Sequence, residues 1–268
     1  NCSTVTAVEI PDTVTEIGNY AFYRCTNLVD LQLPYGLTKI GKYAFYECKA
    51  MESADLGSSV TMINTYAFGR CYALKSVFIP KTVTTIGNSA FYMQGGEGSL
   101  EEVIFEPYGT KPLEVGTNAF GYNPGLKTIT FPARTKKLGG VDSPTASYTK
   151  SLAGVRNIFV SCPEFAAINI DNDLVEGAKQ YFLTIDGVLY NADATVLIYC
   201  PVANVGAYNA QGEPTYELII PNTVKLVATY ALQENTALQT VTFAEFDKSD
   251  ANYGKPLLTI GSFNTISV

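Results

Sequence analysis

Apolar residues recur along the first third of the chain at a fixed pitch of 23 residues. Each unit has the spacing C-x-x-φ-x-x-φ-x-φ, where φ is apolar, and its copies begin at Cys2, Cys25, Cys48 and Cys71. The closing φ-x-φ has the period of two that is typical of a half-buried strand. A proline follows in three of the four copies and ends the strand, because proline cannot donate to a ladder. The pattern therefore predicts one short strand per unit.

The second half of each unit repeats as well. An isoleucine at 17, 40, 63 and 86 is followed four residues later by Ala-Phe. Gly18, Gly41 and Gly87 come directly after the isoleucine, where glycine favours a left-handed turn. The Ala-Phe pair predicts a tight helical turn that points one ring inward. Since 23 residues cannot bury their own apolar face, such units must stack on one another.

Further copies extend this pattern irregularly. Apolar positions fit the unit at 115–132, at Val155, Ile158 and Val160, and at 218–243, and Ile260 begins one more. Asn123 and Asn235 stand where the early copies have cysteine. We therefore expect one solenoid over residues 1–268, with a parallel sheet on one face and short helical turns on the other. The chain opens partway through a unit, so we expect it to be trimmed at the N-terminus.

The repeat φ-x-x-I-G-x-x-A-F-x-x-C-x-x-L-x-x-φ-x-φ-P resembles the BspA-like leucine-rich repeats of bacterial surface proteins. The resemblance implies a right-handed leucine-rich-repeat coil. It also implies a β-hairpin inserted between repeats, which FLTIDGVLYNADATVLIYCP fills at 182–201, with strand pieces at 188–190 and 196–199. For function it implies an extracellular or cell-surface protein that is used in adhesion or in binding host or matrix proteins, with no shared catalytic residue.

Composition narrows the function further. The 268 residues carry a net charge of −7 and only 18 Lys and Arg, which argues against nucleic-acid binding. There is no histidine, so the usual general base and the commonest neutral metal ligand are both missing. No apolar stretch reaches the length of a membrane span. We predict no enzyme activity, no cofactor and no metal site, and we expect a monomer.

The cysteines also favour a structural reading. One cysteine per coil forms a line rather than the converging pairs that zinc needs. We predict that Cys25, Cys48 and Cys71 are buried and unpaired. Cys162 and Cys200 are expected to lie outside this line, and whether they pair is left open.

Candidate partner-binding residues are the strand positions that point away from the core. They change from polar or acidic in the early copies to apolar in the middle copies. Exposed apolar side chains can mark a partner surface. The alternative is that loops of the same chain cover these side chains. The predicted site lies on the concave sheet and comprises Asp30, Gln32, Asp55, Phe78, Ile104, Asn157 and Phe159.

A second candidate is a row of tyrosines. Tyr20, Tyr43 and Tyr66 share the position before the alanine. Such a row would suit glycan binding by stacking, or it would be a packing ladder along the edge of the coils. The alternatives to a protein-binding module are therefore a glycan-binding module and a passive spacer for another domain, and the sequence does not name the ligand.

Overall fold

The computed structural model of the chain describes residues 2–96, 98–143, 153–171, 174–176, 178–244 and 259–260. It contains short strands in succession and one short helix. In chain order the elements before and including the helix are β1 Ala7–Glu9, β2 Glu16–Ile17, β3 Asp30–Gln32, β4 Lys39–Ile40, β5 Ser53–Asp55, β6 Met62–Ile63, β7 Ser76–Ile79, β8 Thr85–Ile86, β9 Glu102–Phe105, β10 Leu113–Val115, β11 Thr128–Phe131, β12 Thr135–Leu138, β13 Val141–Asp142 and α1 Ala153–Asn157. The rest are β14 Ala167–Ile170, β15 Phe182–Ile185, β16 Val188–Asn191, β17 Val196–Tyr199, β18 Glu217–Ile220, β19 Leu226–Val227, β20 Thr240–Phe243 and β21 Thr259–Ile260.

The φ-x-φ segments form the first ladder of parallel strands, in the order β1-β3-β5-β7-β9. Neighbours pair in register with the sequence repeat, as in Ala7 with Asp30 and Ser53 with Ser76. This register puts the apolar residue of each strand beside the same residue of the next coil. The predicted leucine-rich-repeat solenoid with a parallel sheet is confirmed.

A second ladder joins the short segments that end in the repeated isoleucine. Its order is β2-β4-β6-β8-β10-β12, all parallel, and β13 pairs antiparallel to β12. The glycine after the isoleucine is needed here for close approach rather than for a left-handed turn. A Cβ on Gly41 would lie 2.6 Å from the carbonyl carbon of Gly18 in the preceding coil.

The turns that carry Ala-Phe are stacked β-turns rather than helical turns. Tyr43, Phe45 and Glu47 donate their N–H groups to the next coil at 2.8–3.0 Å. The residues between them donate locally, three residues back, as Tyr46 does to Tyr43. A helix needs every N–H for its own bonds, so this alternation excludes one. We call these turns the turn ribbon.

Several non-glycine residues of the turn ribbon have a left-handed backbone conformation. Tyr43 and Glu47 have φ of 55° and 59°, and their equivalents in the neighbouring coils match them. The left-handed conformation lets the chain turn back every few residues, which is incompatible with a continuous right-handed helix.

Phenylalanine rings form one column through the core. Phe22, Phe45, Phe68 and Phe91 stack with centroids 5.2–5.4 Å apart. The column continues through Phe120 and Phe159 to Tyr199, with spacings of 5.6, 6.4 and 6.5 Å. Each ring packs on the same ring of the next coil, which explains why Phe recurs in the sequence.

The cysteine position has a hydrogen-bonding role. Cys48 and Cys71 donate from Sγ to the carbonyls of Phe22 and Phe45, at 3.3 and 3.1 Å. Asn123 donates to the Phe91 carbonyl at 3.1 Å in the same way. The prediction that Cys25, Cys48 and Cys71 are buried and unpaired is confirmed.

Burial controls the chemistry of these thiols. Loss of solvation raises the pKa of the Cys48 thiol to about 12 and that of Cys162 to about 11. Cys162 donates to the Phe120 carbonyl at 3.4 Å, so it belongs to the cysteine line, against our expectation. Cys162 and Cys200 are both buried and free.

The strand predicted at Val155, Ile158 and Val160 is wrong. Phe120 and Tyr122 donate to the carbonyls of Ile158 and Val160, as Phe68 and Arg70 do to Ala90 and Tyr92 in the regular coils. Residues 158–159 therefore take the Ala-Phe position of the turn ribbon, and the strand of this coil is β14.

The predicted hairpin is present and has one strand more than predicted. β15 and β16 pair antiparallel across the tight turn Asp186–Gly187, where both residues have positive φ (50° and 75°). Asp-Gly favours such two-residue turns. β16 then pairs antiparallel to β17, and β17 pairs parallel to β19, so the insertion is joined to the later coils through a shared sheet.

Candidate partner-binding surface

We define the outward strand face as the side chains that point away from the core on β1, β3, β5, β7, β9 and β11. In each strand they alternate with buried residues, because side chains on a strand alternate between faces. The burial pattern follows this alternation in β5, β7 and β11, where outward residues are more exposed than the buried residues beside them. The face is thus a regular surface, one strand per coil.

Phe78 and Ile104 form an exposed apolar pair on this face. β7 and β9 place them directly opposite each other in the parallel register. They are 43% and 42% exposed, so no loop of the described chain covers them. The structure therefore places two of the predicted binding residues side by side on an accessible surface.

Polar residues flank this pair on the side of the earlier coils. Asp55 is the register partner of Phe78, and Gln32 is the register partner of Asp55. Both are exposed, and a carboxylate oxygen of Asp55 accepts a bond from the Gly57 N–H at 2.9 Å. The backbone of Asp30 lies in β3 opposite Ala7, while its side chain is outside the described residues.

Phe159 and Asn157 do not belong to this surface. Phe159 is 3% exposed, and its ring stacks on Phe165 with centroids 3.9 Å apart. Asn157 is half-buried and lies at the end of α1 rather than in a strand. Both assignments followed from the incorrect strand at 155–160, so we remove both residues from the predicted site.

A groove follows β11 on the outward strand face. It has a volume of about 880 Å³ and extends from β9 across β11 to residues near β14. Within the described residues no hydrogen-bonded ladder joins β9 to β11, since they belong to separate sheets. Inward Phe105 and Phe131 meet below this break with tilted rings at 5.4 Å. The first ladder thus opens where large rings replace the smaller aliphatic residues of the early coils.

Sequence reasoning missed this groove. Its floor includes Thr128 and Thr130, the outward residues of β11, which are small and exposed. The outward threonines were visible in the sequence. These threonines form the floor of a groove because larger side chains stand beside them and because no ladder joins β9 to β11. Both features are visible only in the packed structure.

The tyrosine row is a packing ladder on the turn ribbon. Tyr43 stacks between Tyr20 and Tyr66, at 5.1 and 5.0 Å and nearly parallel. Both faces of its ring are therefore occupied by protein, which leaves the ring edge and hydroxyl for contact with solvent. Tyr20 is 56% exposed and stacks on Tyr43 with one face.

Charge along this edge is also balanced internally. Glu47 lies between Arg24 and Arg70, with an ion-pair distance of 3.1 Å to each. Arg70 also lies 5.6 Å from the centre of the Tyr46 ring. Partial burial, followed by the neighbouring Tyr66 and Tyr20, raises the pKa of Tyr43. This edge is better described as a self-paired network than as an open binding site.

Among the described residues, no three acidic, cysteine or histidine side chains come together as a metal site would require. No helix in the described part of the chain is long and apolar enough to cross a membrane. The outward strand face therefore remains the strongest candidate for function.

Solved structures of two other bacterial proteins resemble this chain. The chain is similar to a leucine-rich cell surface protein from Faecalibacterium prausnitzii A2-165, with 27% identity, a TM-score of 0.59, and coverage of 90% of this chain and 61% of that one. It shares its fold with the pneumococcal vaccine antigen PcpA, with 24% identity, a TM-score of 0.65, and coverage of 94% and 53%. The chain thus spans only part of the length of both neighbours.

Comparison by sequence gives a more specific result. No curated protein matches the chain. Residues 1–107 match the family described as BspA type Leucine rich repeat region, in six copies. The resemblance inferred from the repeats is thereby confirmed, and residues 1–107 of this solenoid are a BspA-type leucine-rich repeat region.

Proposed function

We propose that this chain is a non-catalytic binding or adhesion module of a bacterial cell-surface protein, and that it contacts a host or matrix protein through the outward strand face. The observation that carries the proposal is the exposed pair Phe78 and Ile104. The inward positions conserve the coil's shape from copy to copy, whereas these outward residues are not needed for stacking. Exposed aromatic and aliphatic side chains at the centre of a polar surface are common anchors of protein interfaces.

Surface location and the absence of catalysis are parts of the same proposal. The similarity to a leucine-rich cell surface protein supports the location. A chain without histidine lacks the commonest general base, and leucine-rich-repeat solenoids typically serve as binding scaffolds. The polar flank of Gln32 and Asp55 would form part of the rim.

The test uses a panel of purified extracellular-matrix proteins and the double variant Phe78→Ser/Ile104→Ser. We expect the parent to bind at least one member, and the double variant to bind it more than tenfold more weakly, since such anchors contribute ~2 kcal/mol or more each. Ile219→Ser is the matched control, because Ile219 is 44% exposed on β18, outside this pair. Melting temperatures should be equal in all three.

Two results would contradict the proposal. Unchanged affinity of the double variant would move the site away from Phe78 and Ile104. Absence of binding across the panel would favour the passive spacer. A glycan array probed with the parent and with Tyr20→Ala would test the alternative of a glycan-binding module. The rings stacked on both faces of Tyr43 disfavour that alternative.

A further inference from the structure

The groove follows β11, whose outward residues form its floor. Glu102 and Ile104 of β9 line one side of the floor formed by Thr128 and Thr130, and Glu164 and Asp171, which precede and follow β14, line the other side.

The lining of the groove is acidic. Glu101, Glu102 and Glu164 lie near the start of β11, and Asp171 lies beyond its end. Lys127 is the one cation among the described residues of the lining, and it pairs with Glu164 at 3.4 Å. Glu101 and Glu102 form no ion pair among the described residues, so the start of β11 keeps two negative charges in excess, on a chain that is itself acidic.

The wall of the groove also has an apolar part. Ile104 lines it and is 42% exposed, and Phe78 lies next to Ile104 in the register. Long basic side chains suit such a mixed surface, because their alkyl stems pack on apolar groups while the charged ends reach carboxylates. Acidic segments would be repelled by Glu101 and Glu102.

We propose that this groove binds a lysine- or arginine-rich segment of the partner protein, which lies along β11. The proposal rests on the proposed function and names the chemistry of the partner at that surface. β11 has four residues, about 13 Å at ~3.3 Å per residue, so a segment in extended conformation would have a core of roughly four residues in the groove, with basic side chains reaching Glu101 and Glu102.

The test uses two synthetic peptides of about eight residues with fluorescent labels, long enough to exceed β11 at both ends. One alternates lysine and serine around a central leucine, and the other has glutamate in place of lysine. Fluorescence anisotropy would measure affinity at low and at physiological salt. We expect the basic peptide to bind, the acidic peptide not to bind, and the affinity to fall with salt, because exposed charges are screened.

Matched variants locate the binding. Glu101→Gln/Glu102→Gln should weaken the basic peptide about fivefold, since two exposed ion pairs together contribute ~1 kcal/mol. Glu9→Gln/Glu52→Gln removes the same charge from exposed sites outside the groove and should change affinity less than twofold. Thr130→Trp should fill the groove and abolish binding, while Thr240→Trp, on exposed β20, should not.

Three outcomes would overturn the proposal. The first is no binding of the basic peptide, and the second is equal weakening by the two glutamate double variants, which would indicate diffuse attraction to an acidic surface. The third is unchanged binding in Thr130→Trp. If a matrix protein binds through Phe78 and Ile104 but ignores Thr130→Trp and Glu101→Gln/Glu102→Gln, the proposed function stands and this inference fails.

Discussion

The coils up to residue 93 and the segment from 94 to 204 solve the same packing problem with different regularity. In the first region Phe22, Phe45, Phe68 and Phe91 are 23 residues apart and both ladders are unbroken. In the second, the spacing from Phe91 to Phe120, to Phe159 and to Tyr199 is 29, 39 and 40 residues. The ring column nevertheless continues through both regions.

The difference shows where extra residues are tolerated. The core column stays in place through the irregular segment, while the first ladder is interrupted between β9 and β11. The groove lies at this interruption. The groove therefore lies where the repeat is irregular, while the regular coils form the scaffold beside it.

The largest expected effect tests whether the two regions share one core. Phe68→Ala and Phe159→Ala should each lower the free energy of unfolding by ~3–5 kcal/mol, because each removes a buried ring from the column. Urea unfolding would measure it. Phe78→Ala is the control and should have a much smaller effect, since that ring is exposed.

A Phe159→Ala variant as stable as Phe78→Ala would contradict the continuous column. It would also restore the original interpretation of Phe159 as an outward residue.

The next effect concerns the close approach of backbones in the second ladder. Gly41→Ala should destabilise by ~1–3 kcal/mol, since its Cβ would meet backbone atoms of Gly18 and Asn19. Gly116→Ala tests the same contact in the irregular segment, where the Cβ would meet Asn88. Gly18→Ala is the control, with nothing within 4 Å of the new carbon.

Thermal melting would compare the three variants. If Gly116→Ala melts like Gly18→Ala, the second ladder is not as tightly packed in the irregular segment as in the regular coils.

A smaller effect is expected at the cysteine position. Asn123→Ala should destabilise by ~1–2 kcal/mol, because the carbonyls of Phe91 and Phe120 lose a buried donor. Asn123→Cys should recover part of this loss, since cysteine donates to the same carbonyl in the regular coils. Chemical denaturation would measure both, and equal stability of the two variants would show that the hydrogen bond is not what selects the residue.

The smallest effect is on reactivity alone. Native protein treated with a thiol reagent near neutral pH should be modified at Cys2, which is exposed, and not at the five buried cysteines. Burial keeps the pKa of Cys48 and Cys200 at about 12, so little thiolate forms. Unfolding should expose all six, as mass spectrometry would show, and a native protein modified at Cys162 would indicate that the irregular segment opens.

The sequence was sufficient for the regular coils because each position there repeats a chemical type. Period-two apolar residues, the isoleucine, the Ala-Phe pair and the cysteine each recur in one place, so strand, register and core followed from spacing. The turn ribbon was harder, because Ala-Phe is compatible with either a helical turn or a β-turn. The choice depends on where alternate N–H groups bond, which is a property of the neighbouring coil.

The irregular segment was predicted less well for a specific reason. Two stretches, 155–160 and 165–170, have the same apolar spacing, and Ile158 replaces the small alanine that would have identified the turn. Choosing the first stretch turned Phe159 outward and brought Asn157 into the site. Phe78 and Ile104 were placed correctly because they lie in or next to the regular coils, where register is fixed.

The alternation of bonds in the turn ribbon also has a mechanical consequence. Every coil of the regular region is tied to the next by backbone bonds at both ladders and at the ribbon, all directed along the stacking axis. Tension along that axis therefore acts on all the backbone hydrogen bonds of one interface together. One coil unfolds when the bonds of that interface break. Since 23 extended residues span roughly 75–80 Å, a pulled array would lengthen in large uniform steps and shield the coils that remain.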